Sequence, residues 1–165
     1  MAPPVSNTVT TQVLALLGGR QGLNARIASL TQAGTLVLPL IGQNAIAAQN
    51  ASIELSERSS DAKYPAVNVY CEKIANQLTE KFRTFSGTAR MAVEIRVSQD
   101  RLSGIEDQMQ QYVDMVAQVL DQSRGDWGQG MYYAGGYEAS FGPVKHGGRN
   151  FIQTGKVTFE VGVSN

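Results

Sequence analysis

The chain has 165 residues and 14 basic side chains balanced by 14 acidic ones. That is enough length for one domain with a core of its own, and the neutral balance removes the basic excess by which nucleic-acid binders usually displace counterions. A single Cys71 excludes an internal disulfide, and with a single His146 there is no Cys/His set to hold zinc. No apolar run approaches the roughly 20 residues that cross a bilayer, since the longest, Thr35 to Ile41, is broken by Pro39. Met1-Ala-Pro-Pro-Val5 lacks the charged start and apolar stretch of a secretory signal.

In chain order, Val9, Val13, Leu14, Leu16 and Leu17 recur at helical spacing from Thr8, with Ser6, Asn7 or Thr8 as candidate caps. Gly18-Gly19 interrupts this helix, and a second follows with Leu23, Ile27 and Leu30 on one face before Gly34. The pair reads as an αα-hairpin whose sparse charge suits packing against the body or another subunit. Thr35 to Ala51 reads as loop with a short strand, and Ser52-Ile-Glu-Leu55 alternates like a strand. Tyr64 to Cys71 alternates again, with Val67 and Val69 on one side. Ile74, Leu78, Phe82 and Phe85 fit a short helix between Glu72 and Gly87. Met91 to Asp100 is the clearest strand, with Val93, Ile95 and Val97 facing one way and Glu94, Arg96 and Ser98 the other.

Ser103-Gly-Ile-Glu106 matches a capping box, in which the serine oxygen and the carboxylate satisfy free N–H groups at a helix start. The helix it predicts, Ser103 to Asp121, carries an apolar stripe of Leu102, Ile105, Met109, Tyr112, Val113, Val116, Val119 and Leu120. Its other face holds Glu106, Asp107, Gln110, Gln111, Asp114, Gln118 and Asp121, and Gly125 ends it. Beyond it, Met131, Tyr133, Tyr137, Ala139 and Phe141 alternate with small residues, Gly142-Pro143 and Gly147-Gly148 interrupt, and Val157, Phe159, Val161 and Val163 alternate to the end. The expectation is a C-terminal β-hairpin with a long tip. The fold class is α+β: a largely antiparallel β-sheet covered by an amphipathic helix, with an N-terminal helical hairpin.

Groups that carry chemistry are few. Lys145-His-Gly-Gly-Arg149 offers cations and backbone N–H groups to an anion, but lacks the strand-loop-helix setting of a phosphate loop and reads first as a hairpin tip. Trp127 reads as an anchor at the helix exit before a stacking platform. The carboxylates Glu106, Asp107, Asp114 and Asp121 read as a solvated helix face, and Cys71 as a small buried apolar residue. No catalytic, metal or cofactor set emerges.

The order of elements through Tyr64-Pro-Ala-Val-Asn-Val-Tyr70, Met91-Ala-Val-Glu-Ile-Arg-Val-Ser98, the helix around Gln108 to Ala117 and the Gly-rich terminal region resembles the phage tail-terminator (tail-completion) proteins over roughly residues 52–165. The resemblance implies a non-enzymatic virion protein of the tail-neck region, assembled in the bacterial host cytoplasm and needing no cofactor. It implies a homo-oligomeric ring, usually a hexamer, that meets the tail tube protein and the head connector or a head-completion protein, with DNA passing through and no membrane partner. Residues 1–51 would then be an N-terminal helical and apolar extension to a tail-terminator-like domain, 52–165. Val9, Val13, Leu17, Leu23 and Ile27 are its candidate oligomer contacts, and Lys145, His146 and Arg149 a candidate lumen or partner-contact loop. Alternatives are another neck or head-completion component or, from a different class, a small nucleic-acid-binding module using Lys145, His146, Arg149, Trp127 and the hairpin tyrosines, with a hydrolase using His146 last.

Overall fold

Two long strands in which apolar and polar side chains alternate form the centre of the molecule. The computed structural model describes residues 4–34, 38–42, 44–51, 63–147 and 149–165. In chain order the elements are α1 (Val5–Gly18), α2 (Leu23–Gln32), β1 (Ile46–Ala48), β2 (Ala66–Asn76), β3 (Ser86–Gln99), α3 (Ile105–Gln122), β4 (Gly125–Gly128), β5 (Met131–Tyr133), β6 (Glu138–Phe141), β7 (Lys145–Gly147) and β8 (Asn150–Ser164). The sheet runs β1-β2-β3-β8-β5-β4, with β6 and β7 also paired to β8. Among the described residues only the β1–β2 pair is parallel, so the sheet is mixed, mostly antiparallel and curled.

Strand alternation sets the two faces. On β3, Ala89, Met91, Val93, Ile95 and Val97 are buried on one side, opposite Val157, Phe159 and Val161 of β8. Helix α3 covers that side with Ile105, Met109, Tyr112, Val113, Val116, Val119 and Leu120, all buried as the stripe predicts. The helix comes so close to β8 at Gly155 that a Cβ there would lie 2.6 Å from Met109 Sδ and 3.1 Å from Val113 Cγ2. Within the stripe, Tyr112 donates its hydroxyl to Pro39 O at 2.6 Å. Burial pushes that phenol above its ordinary pKa.

Several expectations change. The N-terminal helices do not close into a hairpin; α1 and α2 make a bent helical segment of 28 residues, broken where Gly19 to Gly22 leaves helical geometry. Its start is capped at Pro4 with no side-chain cap bond, so Ser6, Asn7 and Thr8 lie inside the first turns. The short helix expected between Glu72 and Gly87 is absent, because β2 continues to Asn76 and a loop leads to β3. The capping box does not form: Gly104 adopts φ 87° just before the helix, which moves the N-cap one residue past Ser103 and leaves no side-chain cap bond. Leu102 falls outside the helix and is exposed.

The C-terminus is not a separate hairpin either. Strand β8 is a central strand, with β3 along one edge and β5, β6 and β7 in turn along the other. Alternation marked the strands correctly, but it carries no information on how many partners a strand has. The stretch expected at Ser52 to Leu55 lies outside the described residues.

Val9, Val13, Leu17, Leu23 and Ile27 are fully or almost fully buried. They belong to one hydrophobic cluster with β2, β3, α3 and β8. Their apolar surface is therefore satisfied within the chain and is not offered to a second copy. For the same reason the division into residues 1–51 and 52–165 does not separate two cores.

Candidate functional site

Among the strand edges left open in the described residues, those of β2 and β6 carry the most informative exposed side chains. Strand β1 pairs only with Val67 to Val69 of β2, so the remainder of β2, Tyr70 to Asn76, is hydrogen-bonded to β3 alone. On the far side β6 pairs with β8 at Glu138 to Phe141 and with no further strand. Ile74 on the first edge and Phe141 on the second are each 48% exposed. Ile74 is opposite Ala89 and Phe141 is opposite Gly155, so both project from the helix-covered face. The apolar layer under the sheet thus extends past α1 and α3 to reach both open edges.

The opposite face is ionic. Between Cys71 and Lys73 the register of β2 shifts, making Glu72 an extra residue opposite the Met91–Arg90 step. Such a bulge re-aims side chains, and here it keeps Glu72 and Lys73 off the apolar face. Glu72 is paired with Lys156 and, at 3.2 Å, with Arg90. Hydrogen bonding from Lys156 holds the Glu72 carboxyl below the usual carboxylate range, and the same bond raises the Lys156 ammonium. The Lys156 ammonium also sits 5.7 Å from the Tyr70 ring centroid. Tyr70 donates its hydroxyl to Glu94 Oε1 at 2.6 Å. Burial, and then Glu94, push its pKa up to about 12. Arg96, 3% exposed, pairs with Glu94 at 3.1 Å and donates to Ala51 O. Arg90 reaches Glu138 on β6 at 3.7 Å, so the ionic lattice spans the sheet from β2 to β6.

The β2–β3 connection is tied down at many points. Asn76 Oδ1 accepts from Leu78 N and Ser86 N, Thr84 N donates to Asn165 O at 2.9 Å, and Ser164 donates its hydroxyl to Glu80 Oε2 at 2.6 Å. The Ser164 bond holds the Glu80 carboxyl low. Within this braced loop Leu78 and Phe82 take positive φ values of 48° and 65°, and Phe82 is fully exposed.

The residues singled out from the sequence fall in different places. Lys145 and His146 lie on β7 and Arg149 at the turn into β8, all exposed. The His146 ring meets the Phe151 ring edge-on at 5.2 Å, and no ion pair is formed by Lys145 or Arg149 among the described residues. Trp127 is the expected anchor: its Nε1–H donates to Ser123 O at 2.6 Å at the end of α3, and its ring packs at 5.5 Å from Tyr133. Cys71 is half-buried rather than buried, and burial pushes its thiol up. Among the described residues no group of three or more His, Cys, Asp and Glu is placed to hold a metal.

Sequence reasoning missed both edge residues. Ile74 matched the i, i+4 spacing of a helix with Leu78 and Phe82, while Phe141 followed strand alternation that says nothing of an unpaired edge. Compared with known proteins, the chain matches no family model and no curated sequence.

Proposed function

We propose that this protein is a structural virion component, a tail-terminator-type subunit that assembles as a ring and joins the phage tail tube to the head connector by geometry, without turnover. The observation that carries this reading is the pair of open edges, each with an exposed apolar side chain on the same face of the sheet. Strands β2, β3, β8 and β6 alternate in direction, so β2 and β6 run antiparallel to each other. A second copy rotated about an axis along the strands can bring its β6 beside β2 in antiparallel pairing and set its Phe141 next to Ile74. That contact joins two different patches, and heterologous contacts of this kind generate rings when the rotation closes. Lys73 and Glu138 at the same edges restrain indiscriminate strand pairing. In this assembly the exposed Lys145, His146 and Arg149 turn is available to the ring lumen or to an adjoining neck protein.

Sedimentation and electron microscopy of the purified protein test the reading. Rings are expected at high protein concentration, and Ile74→Lys with Phe141→Lys should give a folded monomer, since both positions are half exposed. A doubly substituted protein that forms rings as readily as the parent would rule out the sheet edges as the joint.

A further inference from the structure

Charge is segregated along this chain in a way its net neutrality conceals. Between Met1 and Ile53 the only charged side chains are Arg20 and Arg26. Both line one open cavity of about 300 Å³ where the α1–α2 joint meets the end of α3, together with Gln21, Ser29, Gln118 and Gln122. Arg26 donates to Gln122 Oε1, yet its Nε–H is buried with no acceptor among the described residues. Neither guanidinium has a carboxylate partner among the described residues. A buried guanidinium N–H without an acceptor is a donor awaiting one, and two guanidinium groups in a concave site fit a carboxylate.

The complementary surface is on the same chain. From Leu102 to Ser123 there is no basic residue, while Glu106, Asp107 and Asp114 are exposed on α3. Fifteen residues separate Asp107 from Gln122, which at 1.5 Å per residue places the acidic end roughly 20 Å from the cavity. Asp114 stands one turn before Gln118 and the exposed Asp121 beside Gln122, yet neither pairs with Arg20 or Arg26 among the described residues, so it is the far end of the stripe, Glu106 and Asp107, that cannot meet the cavity within one copy.

We propose that the Arg20–Arg26 cavity receives the acidic α3 stripe of a second copy, so that ring neighbours are joined by an ionic contact in the helical layer as well as by their sheet edges. The inference rests on the self-assembly reading above. It agrees with the layering, because α1 packs under β1 and β2 while α3 packs under β3 and β8. A neighbour whose β6 meets β2 therefore brings its α3 to the α1–α2 side. Fully matched charges in such a contact set the partner and the register, and the contact weakens with salt.

The test is sedimentation in low salt of the full chain and three variants: Arg20→Glu with Arg26→Glu, Glu106→Lys with Asp107→Lys, and a chain carrying all four changes. Each two-residue variant should associate about tenfold or more weakly than the parent. The four-residue variant should regain association, and a mixture of the two half-reversed proteins should form mixed dimers. Should the arginine pair prove necessary for folding, Arg20→Glu alone serves, since that side chain is exposed. Half-reversed variants that still form rings with the parent's concentration dependence overturn this inference and leave the ring reading standing. A parent that stays monomeric at every concentration overturns both. If sodium phosphate dissociates the parent more than sodium chloride at equal ionic strength while the α3 variant assembles normally, the cavity takes a free oxyanion and the inference fails.

Discussion

The two faces of the sheet are built from the same four strands, yet they obey different rules. The helix side is covered by α1 and α3 and built mainly of buried apolar side chains, among which an unpaired charge is costly. The other side holds three cations and three carboxylates in reach of one another, from Glu72 and Lys156 to Arg90 and Glu138, most of them partly wet. A face whose stability comes from area removed from water is brittle to a single polar substitution. A face built of solvent-screened pairs loses little when one pair is removed.

The comparison breaks most sharply with an unpaired charge on the helix side. Val116→Asp on α3 is expected to destabilise by about 3–5 kcal/mol, and Val13→Asp on α1 by a similar amount because both are buried in the same cluster. Thermal or urea unfolding measures both. If Val13→Asp left the midpoint unchanged, the bent helical segment would not share the core, and residues 1–51 would behave as a separate extension.

A smaller loss is expected at Gly155→Ala, about 1–3 kcal/mol, since the added methyl must displace Met109 and Val113 of α3. A second change, Met109→Ala, should recover part of that loss when made together with Gly155→Ala. Two additive effects in a double-mutant cycle would mean that α3 does not approach β8 at this point.

On the ionic side, Lys156→Met should cost no more than about 1 kcal/mol at neutral pH. The pH dependence separates its two partners. The depressed Glu72 carboxyl contributes stability above its unfolded value near pH 4.3, and that contribution is lost as pH falls through the lower folded value. The raised Lys156 ammonium contributes below about pH 10.4 and loses its contribution as pH rises through the higher folded value. Lys156→Met should therefore flatten both the acid and the alkaline limbs of the stability profile. Unaltered limbs would mean that the pair is not formed in solution.

The smallest effect belongs to the exposed turn, where Lys145→Glu with Arg149→Glu should change stability by under about 0.5 kcal/mol. Under the proposed tail role, particle infectivity supplies the contrasting readout: a loss is expected if the turn faces the lumen or a neck partner. Normal titres would make it an ordinary β-turn.

The strands around Val67, Val93 and Val157 and the stripe of α3 were legible because period-2 and period-3.6 alternation is written directly in the residue order. Helix boundaries were less so. The Ser103 to Glu106 pattern satisfies the spacing of a cap, but Gly104 can turn through positive φ and start the helix later. The stretch after Cys71 misled for a similar reason: Ile74, Leu78 and Phe82 have helical spacing, while Glu72 is a bulge that lets β2 run on beside β3.

Residue order by itself determined the α+β class, the core-facing residues of β3 and α3, the absence of a disulfide, and the neutral balance of charge. Those depend on local periodicity and composition, which need no partner to be read. Only the tertiary structure decided that Val9, Val13, Leu17, Leu23 and Ile27 serve the chain's own core, that β8 is central and not terminal in the sheet, and that Ile74 and Phe141 lie on open edges. Each of these is a question of which distant segment lies alongside, and an apolar side chain carries the same hydrophobic driving force whether its neighbour comes from its own chain or from another.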